Sequence, residues 1–364
     1  MIGRTPMVRV RGLDTGVCEL YLKLESQNPG GSIKDRIGLS MVTAAEDAGL
    51  IRPGGTLIEA TAGNTGLGLA LIAAQKGYRL ILVIPDKMSK DKIMHLKALG
   101  AEVHLTRSDV GKGHAEYYQD YAERLARETP NSLYINQFCN PNNVRAHYEG
   151  TAPEIWQQMD GRIDAFVAGV GSGGTLTGCA SYLRERNADI DIVLADPVGS
   201  VLAEAVHTGT PGVEVGSWVV EGIGEDFIPD ILDLSLVNKA YSISDQEALM
   251  TVRTLLLRDG ILAGTSSGTL IGAALQYCRE QTEPKRVVTL VCDTGNKYLS
   301  KAYNDYWMED QGFLERPTTG DLRDYIARPA TDQSVISTSE TDTLMAAYGK
   351  MKLYDISQLP VLAD

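Results

Sequence analysis

A lysine at the start of a predicted helix is the residue whose position most clearly suggests chemistry. In the segment NPGGSIKDR (28–36), residues 29–31 predict a turn, Ser32 predicts a helix N-cap, and Asp35 completes a variant capping box. Lys34 then falls in the first helical turn, where the helix dipole disfavours a cation by roughly a few tenths of a kcal/mol. A lone lysine there is commonly a solvated side chain. A lysine with a lowered pKa, however, is a good nucleophile.

Two glycine-rich loops at strand-to-helix junctions predict anion sites. The loop EATAGNTGLGLA (59–70) presents backbone N–H groups at the start of a predicted helix over residues 65–76. The loop AGVGSGGTLTG (168–178) follows the predicted strand AFVAGV, and its glycines let the backbone wrap around an anion. Both loops are suited to a phosphate or a carboxylate.

The second loop has two other interpretations. Gly169, Gly171 and Gly174 satisfy the pattern G-x-G-x-x-G, and a later strand, DIVLAD, ends at Asp196. This combination is also found in nicotinamide-dependent dehydrogenases, and a tight turn without a ligand would look the same. A third loop, AGTSSGT (263–269), predicts that Ser266 or Ser267 caps the helix that follows.

Pyridoxal phosphate would use all of these features together. Its aldehyde requires a lysine amine, its phosphate requires an anion cradle, and its ring nitrogen requires a partner. The carboxylate of an amino-acid substrate requires a second anion site, which the segment TAGNT would supply. The sequence therefore suggests a pyridoxal-phosphate enzyme acting on amino acids.

The elements that must position these loops alternate between strand and helix. Short β-branched runs predict strands, and amphipathic segments such as 65–76 and 90–99 predict helices between them. The predicted strands are TLIEA (56–60), RLILVI (79–84), AEVHL, AFVAGV, DIVLA and RVVTLV. This alternation predicts an α/β fold with mostly parallel sheets covered by helices.

Composition excludes several classes of protein. The 364 residues include 47 acidic and 34 basic side chains, for a net charge of −13, and no basic run predicts a nucleic-acid or membrane partner. We find no apolar run long enough to cross a bilayer and no secretory signal pattern. The five cysteines are scattered and the five histidines lack metal-ligand spacing, so no metal site is predicted. A cytoplasmic globular enzyme or binding protein is expected.

Seven motifs together resemble those of one enzyme family. IGRTPMV, NPGGSIKDR, TAGNTG, NQF, GSGGT, EGIGEDFIP and GTSSGT occur in this order between about Ile2 and Met308. The chain resembles the β-family of pyridoxal-phosphate enzymes (fold type II, two-lobed and similar to the tryptophan synthase β subunit). Within it, the bacterial cystathionine β-synthases are most similar, and the cysteine synthases are close relatives.

The resemblance implies roles for individual residues. Lys34 looks like the lysine that binds the cofactor covalently and then removes the substrate Cα proton. Asn64 matches the residue at the cofactor's phenolic oxygen, and Ser266 matches the residue at its ring nitrogen. The phosphate loop corresponds to Gly171, Ser172, Gly173, Gly174 and Thr175, and the substrate contacts correspond to Thr61, Ala62, Gly63, Thr65, Gln137, Glu221, Gly222 and Gly224.

Some positions distinguish the subfamilies. Glu221, the AHY at 146–148 and the WM at 307–308 look more like cystathionine β-synthase, whereas APEIW (152–156) looks like cysteine synthase. Phe138 and Glu225 occupy places where the animal β-synthases usually have tyrosine. No haem is expected, because the animal-type haem-binding segment is absent and NADI (187–190) replaces the C-P-G-C motif of some animal members.

The implied reaction is β-replacement on L-serine or O-acetyl-L-serine by a thiol. Homocysteine would give cystathionine, sulfide would give cysteine as in a cysteine synthase, and cysteine in place of serine would release hydrogen sulfide. A dehydrogenase using the Gly169–Gly174 loop is the alternative from another enzyme class. A non-catalytic sensor of an adenosyl nucleotide, with the C-terminal tail as its working part, is a third.

The resemblance also implies a domain organisation. The catalytic domain is predicted over 1–312, with a smaller lobe over roughly 13–140 and a larger lobe over 1–12 plus 141–312. A linker is predicted over 313–340, followed by the beginning of a regulatory module over 341–364, whose most recognisable piece is ISQLPVL. A homodimer is expected.

Overall fold

A computed structural model of the chain describes residues 1–61, 63–86, 90–107, 109–111, 113–212, 215–315, 320, 335–354 and 356–363. These residues belong to two compact units, Met1–Asn304 and Asp305–Asp364. Within the described residues, no helix has the length and apolar character that crossing a membrane requires.

The first unit contains two sheets with helices between their strands. Its strands are β1 (Met7–Arg9), β2 (Glu19–Leu24), β3 (Thr56–Glu59), β4 (Arg79–Pro85), β5 (Glu102–Thr106), β6 (Ser132–Tyr134), β7 (Ala165–Gly169), β8 (Asp191–Pro197), β9 (Lys239–Ile243) and β10 (Arg286–Val291). Its helices are α1 (Lys34–Asp47), α2 (Asn64–Lys76), α3 (Lys90–Ala98), α4 (Tyr118–Glu128), α5 (Pro141–Ala146), α6 (Ala152–Gln158), α7 (Gly174–Arg186), α8 (Leu202–Thr208), α9 (Asp245–Asp259) and α10 (Thr265–Arg279). A π-helical turn, His147–Thr151, joins α5 to α6.

The two sheets are mostly parallel, as the alternation of strand and helix predicts. The larger has the order β1-β2-β10-β7-β8-β9, with only β1 antiparallel to its neighbour, and the smaller has the order β5-β4-β3-β6. Every residue of β3 is buried, which is typical of a parallel strand with both faces covered. The α/β fold with parallel sheets is confirmed.

Helices α1 and α2 approach closely at a pair of glycines. A Cβ atom on Gly68 would lie 2.8 Å from the carbonyl oxygen of Lys34, and one on Gly38 would lie 3.1 Å from the carbonyl carbon of Gly68. Any side chain at either position would push the helices apart. This contact therefore places the N-terminus of α1, at Lys34, close to the N-terminus of α2, at Asn64.

The predicted capping box at α1 is wrong. The N-cap position is held by Ile33, and Ser32 lies in an extended bridge with Asp293. Ser32 Oγ accepts a hydrogen bond from the Lys34 amide at 3.2 Å, whereas the Asp35 carboxylate accepts one from the Gly30 amide. Pairing with a distant segment holds Ser32 extended, so the helix begins at Lys34.

The lobe boundaries receive one correction. Strand β2 lies inside the predicted smaller lobe (13–140), yet it pairs with β10 over six residues and buries Leu20 and Leu22 in the larger sheet. The parallel sheet of the smaller lobe begins only at Thr56. The remaining lobe boundaries stay a prediction.

The second unit contains α11 (Asp305–Asp310), α12 (Leu344–Leu353) and a parallel strand pair, β11 (Thr338–Ser339) with β12 (Val361–Leu362). The first unit ends at Asn304, eight residues before the predicted end of the catalytic domain at 312. Most of the predicted linker (313–340) lies outside the described residues.

Candidate active site

Several helices of the first unit begin at one cavity of about 280 Å³. Lys34 opens α1, Asn64 opens α2, Thr175 is the second residue of α7, and Ser266 is the second residue of α10. Helix N-termini carry unpaired N–H groups and a partial positive charge, so this arrangement favours an anionic ligand.

Most of the predicted site residues line this cavity: Lys34, Thr61, Gly63, Asn64, Thr65, Gln137, Gly171, Ser172, Gly173, Thr175, Gly222, Gly224 and Ser266. Gly174 and Glu221 are not among the lining residues, and Ala62 lies outside the described residues. The Glu221 carboxylate forms an ion pair with Lys301 at 2.8 Å. Gly174 packs so closely on Asn143 that a Cβ atom would lie 2.0 Å from Asn143 Oδ1.

The amine of Lys34 is disposed to lose its charge. Burial lowers the pKa of Lys34 below the usual lysine value, while the nearby Cys292, Asp293 and Glu225 oppose this shift. The position of Lys34 in the first helical turn predicts a pKa lowered by the helix dipole, but burial is the main cause.

Asn64 is held by two residues that sequence reasoning did not assign. Its Nδ2 donates to Asp293 Oδ2 at 2.8 Å, and its Oδ1 accepts from Lys297 Nζ at 2.5 Å. Tyr298 also donates to Asp293 Oδ2, at 2.9 Å. The signal for these residues was the polar segment DTGNKY (293–298), which begins two residues after the end of β10, where another strand ends near the cavity.

The loop between β7 and α7 is shaped by glycine. Gly173 has φ +90°, a backbone conformation that favours glycine, and a Cβ atom on Gly171 would lie 2.6 Å from the carbonyl oxygen of Gly222. Asn143 braces the loop by donating to Ser172 Oγ at 2.8 Å, and Asn143 Oδ1 is buried without a partner in the described part of the chain. Close packing at these glycines therefore fixes the backbone of a loop that lines the cavity.

Polar side chains behind this loop stay uncharged. Thr175 Oγ1 and His147 Nε2 are 3.2 Å apart, and His147 Nδ1 lies 3.0 Å from Thr151 Oγ1. Burial, with the nearby charges of Lys34 and Arg36, holds the pKa of His147 well below its usual value. A neutral imidazole can orient the Thr175 hydroxyl without adding charge.

The loop between β3 and α2 is shaped by side chains instead. Thr65 Oγ1 donates to Gln137 Oε1 at 2.6 Å, and the Thr61 hydroxyl accepts from the Gly63 amide at 3.1 Å. Glu59 lies beneath it, where burial raises its pKa to about 7. Glu59 accepts from the Ala60 amide at 2.9 Å, and its Oε2 has no partner among the described residues.

Neither serine caps α10, so that part of the sequence analysis is wrong. Gly264 holds the N-cap position. Ser266 forms a hydrogen bond with the Cys292 thiol, and Ser267 Oγ accepts from the Cys292 amide at 3.0 Å. Ser266 is therefore free of a capping role and presents a neutral hydroxyl group to the cavity.

Asp196, the acidic residue on which the dehydrogenase alternative depends, has a structural role in the fold. Asp196, at the end of β8, is fully buried, and its Oδ2 accepts from the Ala203 amide at 2.8 Å. It does not line the cavity. Asp196 is therefore not available to bind a ribose hydroxyl in the cavity.

Comparison with known proteins agrees with this geometry. Residues 1–293 match the family described as pyridoxal-phosphate dependent enzyme, and the chain belongs to that family. Its cofactor is pyridoxal 5'-phosphate. The cavity fits this cofactor, because a buried lysine amine, a glycine-shaped anion loop and a neutral hydroxyl group meet there.

Individual relatives narrow the resemblance. The chain is 46% identical to cystathionine beta-synthase of Oryctolagus cuniculus over 86% of its own length, and it spans 57% of that protein. It is 40% identical to O-acetylserine dependent cystathionine beta-synthase of Bacillus subtilis, over 83% of this chain and 95% of that protein. It is also similar to the crystal structure of a hydrogen sulfide-producing enzyme from Fusobacterium nucleatum, with TM-score 0.75 and 38% identity over 82% of this chain and 97% of that one.

Proposed function

We propose that this enzyme exchanges the β-substituent of L-serine or O-acetyl-L-serine for a thiol. With homocysteine the product is cystathionine, and with cysteine in place of serine the reaction releases hydrogen sulfide. The observation that carries this proposal is the meeting of the Lys34 amine, two anion loops and the Ser266 hydroxyl in one cavity. When bound, pyridoxal phosphate withdraws electrons from the substrate Cα and makes its proton acidic.

Lys34 is assigned two steps. Its amine would hold the cofactor through the aldehyde and, when free, would take the proton from the substrate Cα. Both steps require an uncharged amine, and burial supports this by lowering the pKa of Lys34.

The two loops are assigned one anion each. Residues 171–175 hold the cofactor phosphate with backbone N–H groups and the Thr175 hydroxyl. Residues 61–65 and Gln137 hold the substrate carboxylate. Asn64 contacts the phenolic oxygen of the cofactor, and Asp293 and Lys297 orient its amide through the hydrogen bonds described above.

Ser266 is assigned to the ring nitrogen. Its neutral hydroxyl group would donate a hydrogen bond to the nitrogen without protonating it, whereas a carboxylate at this position would hold a proton there. A neutral partner of this kind would suit replacement at Cβ better than transamination.

The preference for homocysteine rests on resemblance. Glu221, Tyr148 and Trp307 look like cystathionine β-synthase residues, and relatives carry that name. The name of the Bacillus relative supports O-acetylserine as a first substrate, and that of the Fusobacterium structure supports hydrogen sulfide release. Cysteine synthase is the second candidate, because a protein of that name from Neurospora crassa is 41% identical to this chain.

A product assay tests this function. The protein is incubated with serine or O-acetylserine, each with homocysteine or sulfide, and the products are identified by mass spectrometry. We expect cystathionine from serine and homocysteine at a higher kcat/KM than cysteine from O-acetylserine and sulfide. The reverse order would assign the protein to the cysteine synthases, and no product in any combination would refute β-replacement.

The cellular setting is also part of the proposal. A homodimer in the cytoplasm, with a regulatory module starting near Thr341, is what the resemblance and the acidic composition support. Analytical ultracentrifugation of the full chain tests the dimer.

A further inference from the structure

The cavity contains a carboxyl group to which the steps above give no role. Among the described residues that line it, Glu225 carries the only carboxyl group and Lys34 the only amine. The Glu225 side chain is half-buried, and its carboxyl group forms no hydrogen bond or ion pair within the described part of the chain. It is therefore available to a ligand.

The backbone of Glu225 is firmly held. Its amide donates to Ser200 Oγ at 3.1 Å, and its carbonyl oxygen accepts from Ser200 Oγ at 3.1 Å and from the Val201 amide at 3.1 Å. Gly224, the preceding residue, has φ +84° and donates to the Val170 carbonyl at 2.8 Å. Because its backbone is fixed and its carboxyl group forms no hydrogen bond within the described part of the chain, Glu225 can donate or accept a proton at a defined position.

The Glu225 side chain extends toward Gly171. A Cβ atom on Gly171 would lie 3.9 Å from Glu225 Oε1, so the carboxyl group reaches beside the loop that we assign to the phosphate. Glu225 and Lys34 also interact electrostatically, which places both groups at the same cavity. The Glu225 carboxyl group thus shares the cavity with the amine at which we propose that the substrate Cα reacts.

The groups around Glu225 favour its protonated form. Burial first, and then the carboxylates of Asp226 and Asp196, raise the pKa of Glu225 to about 8 against the opposing charge of Lys34. The phenols of Tyr117 and Tyr118 also interact with Glu225, and both have raised pKa values, so they are neutral at pH 7. At neutral pH the Glu225 carboxyl group therefore holds a proton.

L-Serine needs such a proton, whereas O-acetyl-L-serine does not. Hydroxide is a poor leaving group, and acetate leaves without help. Lys34 at this stage is an ammonium group that holds the Cα proton. A second acid in the cavity would let the unactivated hydroxyl group depart as water while Lys34 keeps that proton for its return to Cα.

We propose, building on the function above, that Glu225 is the catalytic acid that allows L-serine to serve as the first substrate. As the Cβ–O bond breaks, its electron pair stays with oxygen, which takes the Glu225 proton and leaves as water. As the thiol sulfur bonds to Cβ, its proton passes to the Glu225 carboxylate and restores the acid, and Lys34 returns its proton to Cα. No oxidation or reduction takes place.

Glu225→Gln tests this assignment, because glutamine keeps the shape and removes the acid. We expect turnover of serine with homocysteine to fall by about 100-fold, within the usual range for a general acid, and O-acetylserine with sulfide to change by no more than about threefold. Sulfide is a suitable control because it is largely ionised near pH 8 and acetate needs no proton. Asp226→Asn, which removes an adjacent exposed carboxylate, should leave serine turnover at pH 7 within the same threefold.

The outcomes separate this inference from the proposed function. Suppose that the wild type forms both products. If Glu225→Gln then reduces the two activities equally, or reduces neither of them, the assignment of Glu225 is wrong while β-replacement stands. If the wild type forms neither product, β-replacement itself is refuted. Glu225→Asp should recover part of the serine activity, since it restores an acid, and no recovery relative to Glu225→Gln would count against the proposal.

Two further readouts test the proton itself. Serine turnover of the wild type should fall as pH rises through about 8, whereas Glu225→Gln should lack this limb. The infrared difference spectrum of wild-type minus Glu225→Gln holoenzyme should contain a protonated-carboxyl band at pH 7 that disappears above pH 9. A carboxylate band already present at pH 7 would overturn the assignment.

Discussion

The two anion loops of the cavity look alike in sequence but are built differently. Both join a parallel strand to a helix, and both contain glycine and threonine. The β7–α7 loop is defined by backbone shape, with a positive φ at Gly173 and no free space at Gly174. The β3–α2 loop is defined by side chains, namely Thr65 with Gln137 above the buried Glu59.

This difference predicts different kinds of sensitivity. A loop made of backbone should fail when a Cβ atom is added, regardless of pH. A loop supported by a buried carboxyl group should respond to pH and tolerate an added methyl group where space exists. The variants below test that division, beginning with the residue that both loops serve.

Lys34→Ala should have the largest effect on turnover. If the loops hold the cofactor and Lys34 performs the chemistry, turnover falls by about 10³-fold or more while some cofactor still binds. Steady-state assays and an absorbance titration measure the two effects. Borohydride should attach the pyridoxyl group to Lys34 of the wild type and to no other lysine, and a label on another lysine in the peptide map would refute this assignment.

Gly174→Ala and Gly63→Ala form a matched pair. A Cβ atom at 174 would lie 2.0 Å from Asn143 Oδ1, whereas one at 63 would have its nearest neighbour, Thr61 Oγ1, at 3.7 Å. We expect Gly174→Ala to lose about 1–3 kcal/mol of stability, as overpacked sites do, together with most cofactor affinity. Gly63→Ala should keep cofactor affinity. Equal cofactor affinity in the two variants would contradict a loop built on backbone shape.

Glu59→Gln should change the pH dependence of stability. The pKa of Glu59 rises from an ordinary value of 4.5 to about 7 on folding, so the folded state keeps a proton that the unfolded state releases. Wild-type stability should therefore fall between pH 5 and 8 by about 2–3 kcal/mol relative to Glu59→Gln. Urea unfolding at both pH values measures this.

Glu46→Gln is the matched control for Glu59. Hydrogen bonding to Lys76 lowers the pKa of Glu46, so its contribution to stability is already complete at pH 5 and does not decline toward pH 8. If Glu59→Gln and Glu46→Gln gave the same pH dependence, the buried carboxyl group would not be what supports the β3–α2 loop.

Thr175→Val and Thr65→Val should have the smallest effects, and each should change a different constant. Loss of the Thr175 hydroxyl should weaken cofactor affinity by about 1 kcal/mol, roughly the value of one hydrogen bond. Loss of the Thr65 hydroxyl, which bonds Gln137, should instead raise KM for serine. A cofactor titration measures the first effect and a substrate titration measures the second. If both variants changed only cofactor affinity, or both changed only KM for serine, the two loops would not bind separate anions.

Local pattern in the sequence determined the secondary structure and the candidates for the site. Strands such as β3 and β4, and the helices starting at Lys34 and Asn64, follow from hydrophobic period and from glycine and threonine at the junctions. Each anion loop joins the end of a parallel strand to the start of a helix, so each was predictable from residues close together in the chain, although the two strands belong to different sheets.

Tertiary structure decided what depends on distant segments. Ser32 is extended because it pairs with Asp293, β2 joins the larger sheet because β10 lies beside it, and Asn64 is oriented by Lys297. The pKa values of Lys34 and Glu225 are set mainly by burial, which is the summed effect of residues from many parts of the chain. Hydrogen-bond partners and loss of solvent are properties of the packed fold, and local sequence does not encode them.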